Sequence, residues 1–146
     1  MLRYPWIYVF FLLGFSACSE PEQMTLEFRI VEEEPGSGLT EMVFEPTGEH
    51  LYLSDEVAVN QLDIDSAVAA NRDGRWVVDL ILTPAGGQKF GELTERNVGK
   101  RCGIVLNGEL VSAPRIMEPI RGGRAVITSD FTEAEARGIA EGLSRP

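Results

Sequence analysis

Histidine and cysteine, which often serve as nucleophile, general base or soft metal ligand, are scarce in this 146-residue chain. It has one histidine, His50, and two cysteines, Cys18 and Cys102. No nucleophile lies at motif spacing from His50, so a Ser-His-Asp triad has little support. A structural zinc site usually takes four Cys or His ligands, which these residues cannot supply. The sequence therefore predicts no catalytic residue, no metal site and no cofactor.

Carboxylates are the one catalytic group present in quantity. They lie in Glu32-Glu33-Glu34, in Asp55-Glu56, and at Asp63 and Asp65. A glycosidase uses two such groups as acid and base or nucleophile, but runs of charge are usually solvated faces. The segment Asp63-Ile64-Asp65 also stops short of a calcium-binding loop pattern. A carboxylate-dependent hydrolase is a remote alternative, and we expect a protein that is not an enzyme.

The acidic charge balance excludes one class of partner. The chain has 13 Lys and Arg against 23 Asp and Glu, a formal net charge of −10. Such a surface repels phosphate backbones, and no basic patch interleaved with aromatic residues is present. We therefore expect no nucleic-acid binding.

The N-terminal residues 1–17 have the features of a targeting segment. Arg3 gives a thin positive region, and the apolar run from Ile7 to Phe15 is too short to span a membrane, which takes about 20 apolar residues. Phe15-Ser16-Ala17-Cys18 resembles a bacterial lipobox, which implies cleavage before Cys18 and lipidation of that residue. An ordinary secretory signal with a chance cysteine is the alternative.

Lipidation at Cys18 would determine where the protein resides. Residues 18–23 would form a lipidated tether that attaches the protein to a membrane, with residues 24–146 as one domain facing the periplasm. Ser19 favours the outer membrane over the inner one. Cys102 is then left unpaired in an apolar pattern, where a lone thiol is usually a small buried hydrophobe.

Periodicity and turn residues predict an α+β fold. We expect strands at Met24–Val31, His50–Leu53, Ile64–Ala70, Trp76–Leu82, Cys102–Leu106, Glu109–Ser112 and Arg124–Thr128, with a mobile loop at 32–47. Asn71 to Gly74 and Asn107-Gly108 are typical of hairpin turns.

Two helices follow from their caps. Thr83 and Pro84 predict the start of the first helix, and Thr132 with Glu135 forms a capping box that starts the second. One apolar face on the second helix comprises Ala136, Ile139, Ala140 and Leu143. We expect a two-layer arrangement, a mainly antiparallel sheet with both helices on one face.

Several segments together resemble the first periplasmic, or head, domain of SecD, a subunit of the bacterial SecDF protein-export complex. They are N-V-G-K from Asn97, I-V-L-N-G from Ile104, S-A-P-R-I-M-E-P-I from Ser112, G-G-R-A-V-I from Gly122 and F-T-E-A-E-A from Phe131. The resemblance implies a ferredoxin-like fold with additions. SecD chains continue into transmembrane helices, whereas this sequence stops at Pro146, so we expect the domain without the proton-driven membrane part.

One loop within this match is a candidate contact surface. The segment Ser112 to Arg121 has two prolines, which limit strand pairing, and apolar side chains that could contact another chain. The candidate contact residues are Arg115, Ile116, Met117, Ile120 and Arg121. Packing of this loop over the sheet edge is the alternative.

The resemblance and the lipobox together suggest a membrane-anchored periplasmic lipoprotein. We expect it to bind unfolded polypeptide, or export and envelope proteins, in connection with protein export or envelope biogenesis. A structural or inhibitory envelope lipoprotein is the alternative.

Overall fold

The computed structural model describes residues 23–144, which form two helices and nine strands. The helices are α1 (Pro84–Arg96) and α2 (Glu133–Leu143). The strands are β1 (Leu26–Glu32), β2 (Leu39–Phe44), β3 (Glu49–Ser54), β4 (Val59–Asn60), β5 (Ile64–Arg72), β6 (Arg75–Leu82), β7 (Arg101–Leu106), β8 (Glu109–Ser112) and β9 (Arg124–Phe131), with a short 3-10 helix at Gln61–Asp63 before β5.

The strands divide between two antiparallel sheets. The larger has the order β2-β3-β1-β7-β8, with β4 paired to β1, and the smaller has the order β5-β6-β9. An α+β fold that is mainly antiparallel, with two helices, is therefore confirmed. One sheet was expected from the sequence, and the structure shows two that share a core.

Both predicted hairpin turns form with two-residue loops. Asn107 and Gly108 have φ values of 49° and 80°, and Asp73 and Gly74 have 52° and 83°. Positive φ at both positions matches the turn twist to the right-handed twist of the strands. The β5–β6 turn is tighter than predicted, because the strands stay paired as far as Arg72 and Arg75.

The prediction of a mobile loop at 32–47 is wrong. Strand β2 lies within it and pairs along its whole length with β3, from Leu39 opposite Ser54 to Phe44 opposite Glu49. Its side chains are only half-buried or exposed, so its apolar pattern is weak. Pairing with β3 stabilises this strand, which the sequence does not predict because the neighbouring Glu, Gly and Pro residues are typical of a loop.

The main hydrophobic core lies between the two sheets. Phe28 and Ile104 face it from the larger sheet, Val78 and Leu80 from the smaller one, and Phe90 from α1. The Phe28 and Phe90 rings lie 5.4 Å apart, centroid to centroid, at an angle of 57°. The predicted apolar face of α2 joins the same core through four buried residues, Ala136, Ile139, Ala140 and Leu143. Both helices therefore cover the inner face of the smaller sheet.

The helix caps form as predicted. The Gly86 amide donates to Thr83 Oγ1 at 3.0 Å, and Pro84 is the first residue of α1. At α2 the Glu135 amide donates to Thr132 Oγ1, and the Thr132 amide donates to the Glu135 carboxylate. Local sequence therefore sets where both helices begin.

A second cluster lies on the other face of the larger sheet. Its buried residues are Val31, Leu51, Leu53, Val105, Leu110 and Ala113. Edge strands β2 and β8 lie close to each other, so the sheet curls around this cluster. The curl brings Leu53 against β7, where a Cβ on Gly103 would lie 2.7 Å from Leu53 Cδ2. Only glycine fits there without displacing its neighbour.

Candidate partner-binding surface

The predicted contact loop follows β8, and its first half pairs with the start of β7. The Cys102 amide donates to Pro114 O, the Ile116 amide to Lys100 O, and the Gly99 amide to Ile116 O, each at 2.8 Å. A bridge between Arg101 and Arg115 lies in the same stretch. The loop is therefore a fixed extension of the larger sheet as far as Ile116.

Ile116 does not belong to the exposed contact set, which corrects one residue of the prediction. Its side chain is 4% exposed and packs in the main core. The backbone bonds at Lys100 and Gly99 hold Ile116 beside β7 and α1. Proline-rich sequence showed that the segment is irregular, but only the fold shows which residue points inward.

The second half of the loop docks on α1. The Ile120 amide donates to Thr94 Oγ1 at 2.8 Å, and the fully buried Thr94 hydroxyl also contacts Phe90 O at 2.9 Å. A Cβ on Gly91 would lie 3.6 Å from Ile120 O, and one on Gly87 would lie 3.1 Å from Gly123 Cα. These glycines let the loop backbone pass close to the helix, which explains why they are present despite their cost to helix stability.

Three large apolar side chains are exposed on the segments that meet at this end of the molecule. We call Val98, Met117 and Ile120 the apolar tip; they are 49%, 77% and 38% exposed. The bond between the Gly99 amide and Ile116 O places the segments carrying Val98 and Met117 side by side. Val98 was not among the predicted contact residues. Its position between Asn97 and Gly99, beyond the buried face of α1, was the signal in the sequence that could have identified it.

Cations surround the apolar tip. The Arg115 guanidinium donates to Gly99 O, Arg121 pairs with Glu95 at 2.6 Å, and Lys100 pairs with Glu32 at 2.7 Å. These exposed ion pairs contribute little to stability, about 0–1 kcal/mol each. Arg115 donates to a carbonyl, so it keeps its charge available on a protein whose net charge is −10.

The residues with potential for chemistry lie apart from one another. His50 contacts Glu41 at 2.6 Å in an exposed position. Buried Asp63 accepts from Lys89 Nζ at 2.9 Å and from the Asn60 amide at 3.1 Å, so it anchors the 3-10 helix before β5. Within residues 23–144 no group of three or more His, Cys, Asp or Glu side chains could hold a metal ion.

Cys102 is buried, and Cys18 lies outside the described residues. Burial raises the pKa of the Cys102 thiol from 9.0 to about 12, because the apolar core disfavours the thiolate. The Cys102 thiol therefore stays protonated at neutral pH.

No helix within residues 23–144 has the length and apolar character needed to cross a membrane.

A family model described as the P1 head subdomain of SecDF matches residues 38–145. The chain belongs to this family. The resemblance found in the sequence motifs is therefore confirmed, and the loop with the apolar tip is part of a SecD head domain. The prediction that its exposed residues contact a partner stays a prediction.

Curated relatives are protein translocase subunits. SecD of Acetobacter pasteurianus is 33% identical over 125 residues, which cover 79% of this chain and 24% of that protein. SecDF of Thermus thermophilus is 34% identical over 134 residues, which cover 82% of this chain and 18% of that protein. The chain thus spans about a fifth to a quarter of the length of these relatives.

Solved SecDF structures share the fold. One, of a membrane component SecDF that enhances protein export, gives a TM-score of 0.67 at 32% identity and covers 83% of this chain and 62% of that one. A crystal structure of SecDF in the super-membrane-facing form aligns with this chain with a TM-score of 0.68. The aligned part is 18% of that SecDF chain.

Proposed function

We propose that this SecD head-like domain binds unfolded polypeptides, or export and envelope proteins, in connection with protein export or envelope biogenesis. The observation that carries the proposal is the apolar tip, with Met117 77% exposed on a loop whose backbone is bonded to β7 and α1. A rigid backbone that presents apolar side chains binds with little ordering cost. The translocase relatives and the SecDF that enhances protein export support the link to export.

The proposal assigns binding rather than catalysis to the domain. Several acidic residues lie in ion pairs or capping bonds, such as Asp63 with Lys89 and Glu49 with Arg101. A hydrolase would need a carboxylate that keeps a proton or attacks a substrate. Replacing Asp63 or Glu49 should therefore change stability rather than abolish a reaction.

We further propose that Cys18 is lipidated and that the domain faces the periplasm, on the outer membrane in preference to the inner one. The support is the sequence Phe15-Ser16-Ala17-Cys18 after an apolar run. Treating cells with globomycin, which blocks lipoprotein signal cleavage, should make the precursor accumulate. Normal cleavage during treatment, or a Cys18→Ser chain that stays membrane-bound and is processed as before, would contradict lipidation.

In-cell crosslinking tests the binding role. A photo-crosslinking amino acid at Met117 or Arg121 should capture export or envelope proteins, or secreted chains in transit. The same group at exposed Glu56, in the β3–β4 connection, is the matched control and should capture fewer. Equal capture at Glu56 and Met117 would remove the apolar tip from the proposal. A single hydrolase captured in stoichiometric amount would favour the inhibitory alternative.

A further inference from the structure

Strand β5 forms an edge of the smaller sheet. It pairs with β6 on one side only, with Ala67 opposite Leu80, Ala69 opposite Val78 and Asn71 opposite Trp76. In an antiparallel pair, successive residues direct their backbone groups alternately toward the partner and away from it. The register therefore decides which residues of β5 face outward.

The β5–β6 turn establishes that register. Arg72 and Arg75 flank a two-residue loop and form the bonded pair, so Ala70 and Val68 also bond to β6. Ala67, Ala69 and Asn71 then direct their N–H and C=O groups away from the sheet. We call these three residues the open edge.

The chain itself shows what the open edge accepts. The Ala67 amide donates to Ser144 Oγ at 3.2 Å, and the Ser144 hydroxyl lies 3.1 Å from Ala67 O. The single hydroxyl proton is shared with Ala140 O, 2.8 Å away at the end of α2. At Ala67, Ser144 therefore supplies the donor and acceptor that a residue of a neighbouring strand would supply.

Beyond Ala67, none of the residues that the structure describes covers the open edge. No group within residues 23–144 bonds to the outward backbone of Ala69 or Asn71. The larger sheet brings its own edges β2 and β8 together, and β9 lies beside β8. Unpaired edge strands normally carry charge, proline or a cover that prevents pairing, and the residues at Ala69 and Ala70 provide none of these.

The side chains beside the open edge indicate the chemistry of an occupant. Val68, one residue from Ala69, is 57% exposed on the outer face of the smaller sheet, and Ile81 on β6 is 41% exposed on the same face. Asp79, opposite Val68, is neutralised by Arg72 at 2.6 Å. On that face an added strand would lie beside Val68 and Ala70, so the side chains that flank these two residues should be apolar and uncharged.

We propose that the open edge binds an extended, largely apolar polypeptide segment as a fourth strand of the smaller sheet. Ala69 and Asn71 each supply one donor and one acceptor, and Ser144 ends the pairing at Ala67. Main-chain bonds give affinity without demanding one sequence, which suits a domain that meets many polypeptides. The inference rests on the proposed polypeptide-binding function and names a second binding surface for it, separate from the apolar tip.

A short peptide tests the inference on the full chain held in detergent. The probe is a ten-residue peptide of alternating valine and threonine with fluorescein at one end, and its control is the same peptide methylated on every backbone nitrogen. We expect the unmodified peptide to bind and the methylated one to bind at least about tenfold more weakly, because strand pairing needs the N–H groups. Hydrogen exchange of the Ala69 and Asn71 amides should slow when peptide is added.

A pair of variants at Asn71 tests the contribution of the outward backbone N–H to peptide binding. Asn71→Pro and Asn71→Ala both lose the side-chain bond to the Gly74 amide, but only the proline loses the outward N–H. Peptide affinity should fall about tenfold for N71P relative to N71A. Ser144→Ala should increase affinity about two- to tenfold, because Ala67 becomes available to the peptide. If N71P does not fold, the methylated peptide and the exchange data decide.

Three outcomes would overturn the inference. Peptide that protects Ile120 and shifts Met117 while Ala69 and Asn71 exchange unchanged would assign binding to the apolar tip, and the proposed function would stand. Edge amides protected in a concentration-dependent dimer without peptide would make a second copy the occupant. No peptide binding at about millimolar concentration would reject the edge, while in-cell capture at Met117 would still report on the function independently.

Discussion

On β7, Ile104 and Val105 point to opposite faces of the larger sheet and both are buried, whereas on β6 only one member of the pair Leu80 and Ile81 is buried. The larger sheet is covered on both faces because it curls, with β2 and β8 brought together around the second cluster. The inner face of the smaller sheet is covered by the helices and the larger sheet, whereas on its outer face Val77 is buried but Val68 and Ile81 are 57% and 41% exposed. Three strands are too few to curl closed, so an outer face and an edge stay exposed.

The difference separates structural surfaces from surfaces available for binding. Curling brings the larger sheet's edge strands β2 and β8 close together and buries side chains on both faces of β7. The smaller sheet keeps the open edge at Ala69 and Asn71, and the loop after β8 keeps the apolar tip. The proposed binding of polypeptides at the smaller sheet and the loop would therefore leave the curled sheet undisturbed.

Alanine substitutions at adjacent residues of β7 and β6 test whether the two sheets differ in how their faces are covered. Ile104→Ala and Leu80→Ala should each lower the free energy of unfolding by about 2–5 kcal/mol through lost burial and a cavity. Val105→Ala should cost about 1–3 kcal/mol from the opposite face of β7. Ile81→Ala should cost less than about 1 kcal/mol, because that side chain is 41% exposed.

Urea denaturation of the four variants measures these changes. Equal costs for Ile81→Ala and Val105→Ala would mean that the outer face of the smaller sheet is covered after all.

A substitution at Gly103 tests how closely Leu53 packs against β7 in the curled sheet. Gly103→Ala should destabilise by about 1–3 kcal/mol, since its Cβ would lie 2.7 Å from Leu53 Cδ2. Gly138→Ala in α2 is the control, because a Cβ there would meet no atom within 4 Å beyond the helix's own backbone, and it should stabilise by up to about 1 kcal/mol. Thermal unfolding gives both values, and a neutral Gly103→Ala would show that the curled sheet is looser than described.

The hydrogen bond between α1 and the contact loop should contribute slightly less to the free energy of unfolding. Thr94→Val removes the acceptor for the Ile120 amide and leaves that amide without a partner, at a cost of about 1–2 kcal/mol. Thr128→Val makes the same change at an exposed position on β9 and should stay within about 0.5 kcal/mol. Hydrogen exchange of the Ile120 amide should speed up only in Thr94→Val, and no change there would mean that the loop is held by other contacts.

The buried thiol gives an effect that is seen only at alkaline pH. Burial raises the pKa of Cys102 from 9.0 to about 12, so the folded state holds its proton after the unfolded chain has lost it. This stabilisation is complete below pH 9 and declines as pH rises from 9 to 12. At pH 10 the loss should be about 1.4 kcal/mol.

Comparison with Cys102→Ala isolates that contribution. The difference in unfolding free energy between the native chain and the variant should narrow by that amount from about pH 8 to about pH 10. A constant difference across this range would indicate that Cys102 is accessible to water.

Local chemistry accounts for what could be predicted. Asn107-Gly108 and Asp73-Gly74 form the expected turns because few other residue pairs tolerate positive φ twice in succession. Thr83 and Thr132 cap their helices through bonds that span only three residues. Strand β2 escaped prediction because it is an edge strand with half-buried side chains, and its stability comes from β3.

The candidate site was predicted in part. The sequence pointed to the loop after β8 and to Met117 as a contact residue, and the structure exposes that side chain. It could not separate Met117 from Ile116, since adjacent residues on an irregular loop carry no periodicity. Val98 joined the surface only through the bond between Gly99 and Ile116, which links segments far apart in sequence.

By itself, the sequence determined the family, through several motifs in a fixed order. It also determined the hairpin turns, both helix starts and the apolar face of α2, because each of these depends on residues within a few positions of one another. Tertiary structure alone decided that the strands form two sheets, that the larger one curls until its edge strands lie close together, and that Ile116 turns inward while Ala69 and Asn71 face outward. Those outcomes depend on which strands pair across long sequence separations. The free energy of such pairing is not reflected in any short pattern of residues.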